Sequence, residues 1–402
     1  MIADGPTPPC SRVLTGSDTR PAGCPDPGAE GEVTGVDLPE VMPAAVYRRP
    51  GEVVVEERPV PRPGAGQVLV ETDHCGICGS DIHQLLDGWG DKPGLVAGHE
   101  FSGTIVAVGD GVEGWQLGEV VVAGPSPRCG HCRRCREGKP SQCENRAGSI
   151  VDGMDGAFAR YVLVGDSSLL RLPPGLTARR AALAEPLAVA LHGITRSGVA
   201  HGDSVMVIGA GPIGALSIAA LVMRGIGPIT AVEPGQRRRE LARQLGATEV
   251  LDPADLEVFP MWEPERVSER AVHVVLECSG KKAAMEAGFH QLRRGGTLAL
   301  VGAGIEAPSF DPNRFILNEL AVVGSFVYDQ GGFEHALELL ADERFPTDLL
   351  IESEDVPLDR LSDALAGLAA GRFAGKVMVV PRLSDTAPAP APAPGPATDR
   401  GT

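Results

Sequence analysis

The sequence predicts an α/β chain made of a β-rich domain and a doubly wound parallel-sheet domain, and three observations predict it. Residues 43–165 carry short strand-like runs broken by glycine, such as Val68-Leu-Val-Glu-Thr72 and Gly103-Thr-Ile-Val-Ala-Val108. That is the pattern of an irregular, mostly β domain. From about residue 190 the texture changes to strands alternating with helices, the mark of a parallel sheet wrapped by helices. At 402 residues the chain is also long enough for two ordinary cores.

Taken in order, residues 1–41 are rich in Pro, Gly, Asp and Glu, show no period, and are expected to hold little fixed structure. Met42-Pro-Ala-Ala-Val-Tyr47 reads as a first strand, and 42–190 as the first part of the β-rich domain. The parallel sheet is expected over 191–320, with strands at Ser204–Ile208, Ile229–Val232, Val272–Val275 and Thr297–Val301 and a helix at Gln236–Leu245. Residues 321–382 are assigned to a return into the first domain, through a strand at Val322–Val327 and amphipathic segments at Phe333–Leu340 and Leu358–Leu368. The tail, 383–402, contains the extended run Ala387-Pro-Ala-Pro-Ala-Pro-Ala-Pro394.

Composition narrows the function classes. Apolar residues make up 43% and charged residues 22%, a globular balance. The formal net charge of −17 argues against nucleic acid as a partner, because phosphate binding needs a basic footprint. No apolar run reaches the roughly 18–20 residues of a membrane span, and MIADGPTPPCSR lacks the features of a secretory signal. A soluble cytoplasmic protein is expected. Of nine cysteines, four fall at Cys129, Cys132, Cys135 and Cys143. Clustered cysteines in a long, unsignalled chain read as metal ligands or redox groups before crosslinks.

Gly209-Ala-Gly211-Pro212-Ile213-Gly214 follows a β-branched strand and opens a helix, the context a GxGxxG turn needs to bind a dinucleotide. Its glycines allow the tight turn, the approach of backbone to pyrophosphate and the packing of helix on strand. The helix start offers free N–H groups to the phosphates. Glu233 ends the next strand, where an acid accepts the ribose 2′-hydroxyl and repels a 2′-phosphate. NAD is therefore favoured over NADP. The run Arg237-Arg238-Arg239 opposes that reading, since arginines accommodate such a phosphate, and Arg238 is a candidate cofactor contact.

The four-cysteine loop suits a closed, structural zinc of four thiolates, with His131, Arg133, Arg134 and Arg136 offsetting its charge. A second set is spread out: Cys78 in Cys75-Gly-Ile-Cys78-Gly-Ser80-Asp81-Ile-His83, His99 in Gly98-His-Glu100, and Glu185 in Ala184-Glu-Pro186. One thiolate, one imidazole and one carboxylate leave a zinc with room for a substrate oxygen.

The ordered series GICGSD, GHEFSG, the four-cysteine loop, AEPLAVALH and GAGPIG resembles the medium-chain, zinc-dependent alcohol dehydrogenases over roughly residues 42–382. With Glu185 in place of a cysteine it is similar to their polyol, butanediol and threonine dehydrogenase branch. The resemblance implies a GroES-like catalytic domain formed by both chain ends, with a Rossmann nucleotide domain inserted between them. It makes Cys78, His99 and Glu185 catalytic zinc ligands, and Glu100 either a direct ligand or an adjacent carboxylate. Asp81 would orient the ligating histidine, and Cys75 is no ligand.

The activity implied is NAD-linked oxidation of a secondary alcohol, a polyol or vicinal diol, to a ketone. The proton leaves through Ser80 and His83, with Glu100 or Glu185 as a competing route. The family also suggests a homo-oligomer, dimer or tetramer, paired through nucleotide domains. Since family members start near Met42, residues 1–41 are an extension, or translation begins at Met42. Threonine or formaldehyde-type oxidation, and a non-enzymatic zinc/NAD sensor, are the competing readings. His192, His201 and Cys278 receive no role. Trp89, Trp115, Phe326 and Tyr328 are candidate pocket residues.

Overall fold

The computed structural model describes residues 34–382 apart from 91, 125–128 and 146–154. The segment 1–33 and the Ala/Pro-rich tail at 383–402 lie outside the described residues. Val205–Ile208, Ile229–Val232, Glu249–Leu251, Val272–Glu277, Leu292–Leu300 and Ala321–Gly324 form one parallel sheet. Numbered in chain order these strands lie 3-2-1-4-5-6. The winding therefore reverses between the first and fourth strands, and a crevice opens beyond their carboxyl ends. The first strand, Val-Met-Val-Ile, is buried along its whole length, as helices on both faces require.

The second sheet is mainly antiparallel and gathers residues from far apart in the chain. Gln67–Gly76 pairs with Glu100–Val108 on one side and with Met378–Val380 and Tyr161–Gly165 on the other. Val120–Ala123 and Leu169–Arg171 extend it beyond Glu100–Val108. Met378 and Val379 are thus stitched to Gly76 and Cys75, next to the Cys78 turn. Helix Ala184–Ser197 leads from this half towards the first strand of the parallel sheet, and most of its residues are buried.

Two sequence expectations are corrected. Residues 34–41, read as part of a structureless extension, begin with Thr34–Gly35 paired to Val108 and Ala107. Val36 and Glu40 add backbone bonds to Val106 and Val60. A polar, glycine-containing segment shows no apolar period, yet its backbone can still complete a neighbour's ladder. The strand expected at Val322–Val327 as part of the return falls instead at Ala321–Gly324 and closes the parallel sheet beside Leu292–Leu300. A short apolar run does not say which sheet it joins. The chain leaves the parallel sheet only after Gly324.

Helix Pro312–Asn318 is anchored through Arg314, whose guanidinium is buried and donates to the carbonyls of Arg266 at 2.6 Å and His290 at 3.1 Å. His290 Nδ1 accepts the Phe259 N–H at 3.2 Å, and its ring stands edge-on to Phe259 and Phe289. Burial, aided by the Arg314 cation, pushes the His290 pKa down to about 4. The unfolded chain therefore takes up this proton first, and the contribution to stability present above about pH 6.5 is lost as pH falls towards 4. Urea unfolding at pH 7 and pH 5 is expected to show a smaller acid loss in His290→Gln than in the unaltered protein. Equal losses would remove His290 as a source of the pH dependence.

Candidate active site and metal centres

Cys78, His99 and Glu100 come together from two elements, with one donor atom from each lying within 4.8 Å of the others. Cys78 stands at the start of helix Gly79–Leu85, where Asp81 turns back to accept the Cys78 N–H at 2.9 Å. The other Asp81 oxygen lies 3.7 Å from His99 Nδ1, an electrostatic contact without a hydrogen bond. Asp81 and Glu100 are fully buried. Burial disfavours a charged His99, but Asp81, Cys78 and Glu185 outweigh it and raise its pKa well above the imidazole value.

Glu185, at the start of helix Ala184–Ser197, is buried beside this group but outside the close donor set. Burial first, then Glu100 and Asp81, lift its pKa to about 7 against the pull of His99 and Lys376. The structure therefore places Glu100, rather than Glu185, within reach of Cys78 and His99. Sequence reading missed Lys376 entirely. Its ammonium is buried, lies 2.6–2.8 Å from the Glu100 carboxylate and donates to the Ile77 carbonyl at 3.1 Å. Nothing local marks a single lysine near the chain end, because its partner lies 276 residues away.

Ser80 and His83 stand three residues apart on helix Gly79–Leu85 and so share a face. His83 Nδ1 is bonded to Asp87 Oδ2 at 2.8 Å, with Trp89 edge-on at 6.1 Å. Asp87, exposed and one turn further on, extends the row towards solvent; the four-residue spacing was its only sequence signal. Of the other pocket candidates, Trp115 packs under Arg171, Tyr328 is buried against Phe333 and Phe326 is exposed.

The four cysteine sulfurs also converge, with Sγ···Sγ separations of 3.6, 3.9 and 4.0 Å and none joined in a disulfide. Thiolates about 2.3 Å from a tetrahedral ion lie about 3.8 Å apart, so the set fits a zinc-sized centre with no open position. Backbone N–H groups of Cys132 and Cys135 point at the sulfurs of Cys129 and Cys132. The arginines beside the cysteines make their direct hydrogen bonds elsewhere than to the sulfurs. Arg133 and Arg134 both pair with Glu137, and Arg136 donates to the His131 carbonyl. Neighbours three or four apart on a short helix satisfy one another first.

At the crevice, Gly209 takes φ +86°, and a side chain there would come within 2.8 Å of Ser279 Cβ. A Cβ on Gly214 would run into the Gly209 carbonyl, so the third glycine lets helix Pro212–Met223 close on the turn. Pro212 and Ile213 form the first residues of that helix, with Gly211 as its cap. Glu233 is buried and accepts the N–H groups of Ala210 and Gly235, each at 2.9 Å. Its first observable task is thus to hold the glycine turn. Arg238 donates to the Phe373 carbonyl while its guanidinium sits 3.8 Å from the Cβ position of Gly211. Arg237 is held by the Arg372 carbonyl, and Arg239 pairs with Asp252.

On the other side of the turn, Glu277 accepts the N–H groups of Ser279 and Gly280 and the Ser279 hydroxyl. Sequence reading assigned it nothing, because a buried acid at a strand end looks like any strand-end acid. Burial pushes the Cys278 thiol pKa well up, so it is an inert neighbour of the turn. Cys75 is buried too, packed under Gly98, with its thiol raised by burial and by Asp81.

A reversed parallel sheet with a glycine turn at its crevice, joined to a domain that concentrates a thiolate, an imidazole and a carboxylate, defines a metal-assisted, nucleotide-dependent oxidoreductase. The chain matches the family described as alcohol dehydrogenase GroES-like domain over residues 64–174, and that described as zinc-binding dehydrogenase over 212–342. A sorbitol dehydrogenase of Halalkalibacterium halodurans is 35% identical over 336 residues, covering 82% of this chain and 96% of the relative. D-xylulose reductase A of Aspergillus oryzae is 34% identical over 310 residues, covering 75% and 86%. Among solved structures, 2R,3R-butanediol dehydrogenase from Bacillus subtilis superposes with a TM-score of 0.73 at 30% identity, over 85% of this chain and all of that one. A zinc-binding dehydrogenase from Sinorhizobium meliloti bound to NADP gives 0.75 at 31%, over 85% and 99%. The chain belongs to the medium-chain, zinc-dependent alcohol dehydrogenase family. It is an enzyme, with zinc and a nicotinamide dinucleotide as its cofactors.

The buried pair of Lys376 and Glu100 gives a direct test. In metal-stripped protein, Lys376→Met leaves a carboxylate uncompensated and is expected to cost about 3–5 kcal/mol in urea unfolding. Adding Glu100→Gln should recover part of that loss. A Lys376→Met protein as stable as the original would show that the pair is not coupled.

Proposed function

We propose that this chain oxidises a polyol or vicinal diol at a secondary carbon, with NAD as hydride acceptor, and that it carries two zinc ions. The observation that carries the reading is the convergence of Cys78, His99 and Glu100, beside Glu185, at the helix that leads into the nucleotide sheet. The named activities of the sorbitol, xylulose and butanediol relatives supply the substrate class. When bound, zinc supplies Lewis acidity at the alcohol oxygen, and the nicotinamide ring accepts the hydride.

The chain's own residues do the rest. Cys78 and His99 hold the catalytic ion with a carboxylate. Glu100, which Lys376 also engages, supplies that carboxylate, and Glu185 is buried beside the set. Asp81 fixes the His99 ring. Ser80 receives the alcohol proton and passes it to His83, from which Asp87 opens the way to solvent. Cys129, Cys132, Cys135 and Cys143 hold the second, structural ion. The reading of NAD rather than NADP is supported by an acid, Glu233, at the end of the second parallel strand and by the prior engagement of Arg237 and Arg239. Gly209, Gly211, Pro212, Ile213, Gly214 and Arg238 line the dinucleotide site.

No helix among the described residues is long and apolar enough to cross a membrane. A homo-oligomer would pair through the open edge of the sheet at Ala321–Gly324, where Phe326, Ile316 and Leu317 are exposed nearby in the chain.

The test is NAD reduction, followed by absorbance, with vicinal diols, sugar alcohols, simple secondary alcohols and threonine. Diols or sugar alcohols are expected to turn over, and Cys78→Ser to abolish that turnover. Ser80→Ala should slow it by about 10- to 100-fold, a loss of relay, with zinc content unchanged. Threonine alone as substrate, or full activity in Cys78→Ser, would overturn the reading.

A further inference from the structure

The chain leaves the nucleotide sheet through residues 325–331, between strand Ala321–Gly324 and helix Gly332–Ala341. This strap starts at the carboxyl end of the sixth strand, two strands along from the fourth and at the same end of the sheet as the crevice. Within it Val327 has φ +52°. A β-branched residue in the left-handed region is a strained outlier, and such strain persists only when its surroundings impose it.

The surroundings here are specific. Before Val327, Arg196 from helix Ala184–Ser197 donates to the Gly324 carbonyl at 3.2 Å, and the Ser325 N–H reaches the Leu300 carbonyl at 3.0 Å. After it, Asp329 Oδ1 accepts the Ser141 hydroxyl at 2.7 Å, while Asp329 Oδ2 lies 4.0 Å from His192 Nδ1. The Gln330 N–H points to the Gly138 carbonyl at 3.4 Å. Gly138 and Ser141 both lie inside the four-cysteine loop, between Cys135 and Cys143. His192 lies two helical turns beyond Glu185 on one helix, and Gly193 beside it packs on Val301, just past the fifth strand. One carboxylate therefore joins the cysteine lobe, the helix that carries Glu185 and the strap at the crevice.

We propose that Asp329 is a positioning residue through which the four-cysteine lobe holds the strained strap in the shape that receives the dinucleotide. The lobe then acts on cofactor binding although none of its residues reaches the cofactor turn. Ser141 supplies the hold, and Val327 stores the strain that the hold must resist.

The experiment measures NADH affinity by fluorescence titration on zinc-replete protein, with metal content determined for each variant. Asp329→Ala should weaken NADH binding about tenfold, the loss of one charge-assisted hydrogen bond, without loss of zinc. Ser141→Ala removes the same bond from the other side and should weaken binding in the same direction. Asp329→Asn keeps the acceptor oxygen and should restore most of the affinity. In a Val327→Gly background, where this φ carries no strain, Asp329→Ala should weaken binding by much less than it does beside valine. Normal NADH affinity in either soluble alanine variant overturns the proposal. So does an equal effect of Asp329→Ala in the two backgrounds, or a defect that tracks zinc loss. The readout is cofactor binding, so an error in the alcohol substrate would leave these results standing.

Discussion

Buried negative charge is the constraint on which the rest of this structure turns. Asp81, Glu100 and Glu185 are withdrawn from water around the Cys78 thiol. An ion taken into the interior costs several kcal/mol unless it is paired. Lys376 and His99 answer part of that demand, Lys376 by direct contact with Glu100 and His99 by proximity to Asp81. A cation held beside Cys78 and His99 would answer the rest. These groups come from the start of strand Glu100–Val108, the start of helix Gly79–Leu85, a second helix and the segment just before Met378–Val380. Assembling them requires both chain ends in one domain, which is why Met378–Val380 pairs back onto Cys75 and Gly76.

The nucleotide half solves a different problem, the exact shape of one turn. Small residues let the turn at Gly209 form, but two buried acids from neighbouring strands keep it in place. Glu233 takes the Ala210 N–H from one side, and Glu277 braces the Ser279 turn that packs on Gly209 from the other. Backbone N–H groups that are paired before ligand arrives need little reordering when it does, which is the economy of preorganisation. Helix Ala184–Ser197 and the strap at 325–331 then join this preformed crevice to the metal-bearing domain.

Much of this was legible along the chain because its signals are local. The GAGPIG turn works through residues within six positions of one another, and the four cysteines fall on one loop. Cys78, Ser80, Asp81 and His83 share one helical start, so spacing alone places them together. Glu100 against Glu185 was not decidable in this way, since both follow apolar segments and only the packed interior brings one of them closer to Cys78. Lys376 and Glu277 were invisible for the same reason. Asp329 was missed because its partners lie 137 and 188 positions away. The hydrogen-bond partners of Arg133, Arg134 and Arg136 were likewise not legible, since composition gives the charge of a loop but not which group each guanidinium meets.

The sequence by itself determined the class of fold, the dinucleotide turn, the two groups of candidate metal ligands and the membership of the family. Each of those rests on short-range spacing, on the period of apolar residues, or on the order of such motifs along the chain. Tertiary structure alone decided which carboxylate stands beside Cys78 and His99, which sheet receives Ala321–Gly324, and that Thr34–Gly35 completes an edge of the first domain. It also decided that a lysine near the chain end neutralises a glutamate a quarter of the way along. Contacts between distant segments depend on the burial of whole elements against one another, and burial is a property of the folded interior that no local pattern encodes.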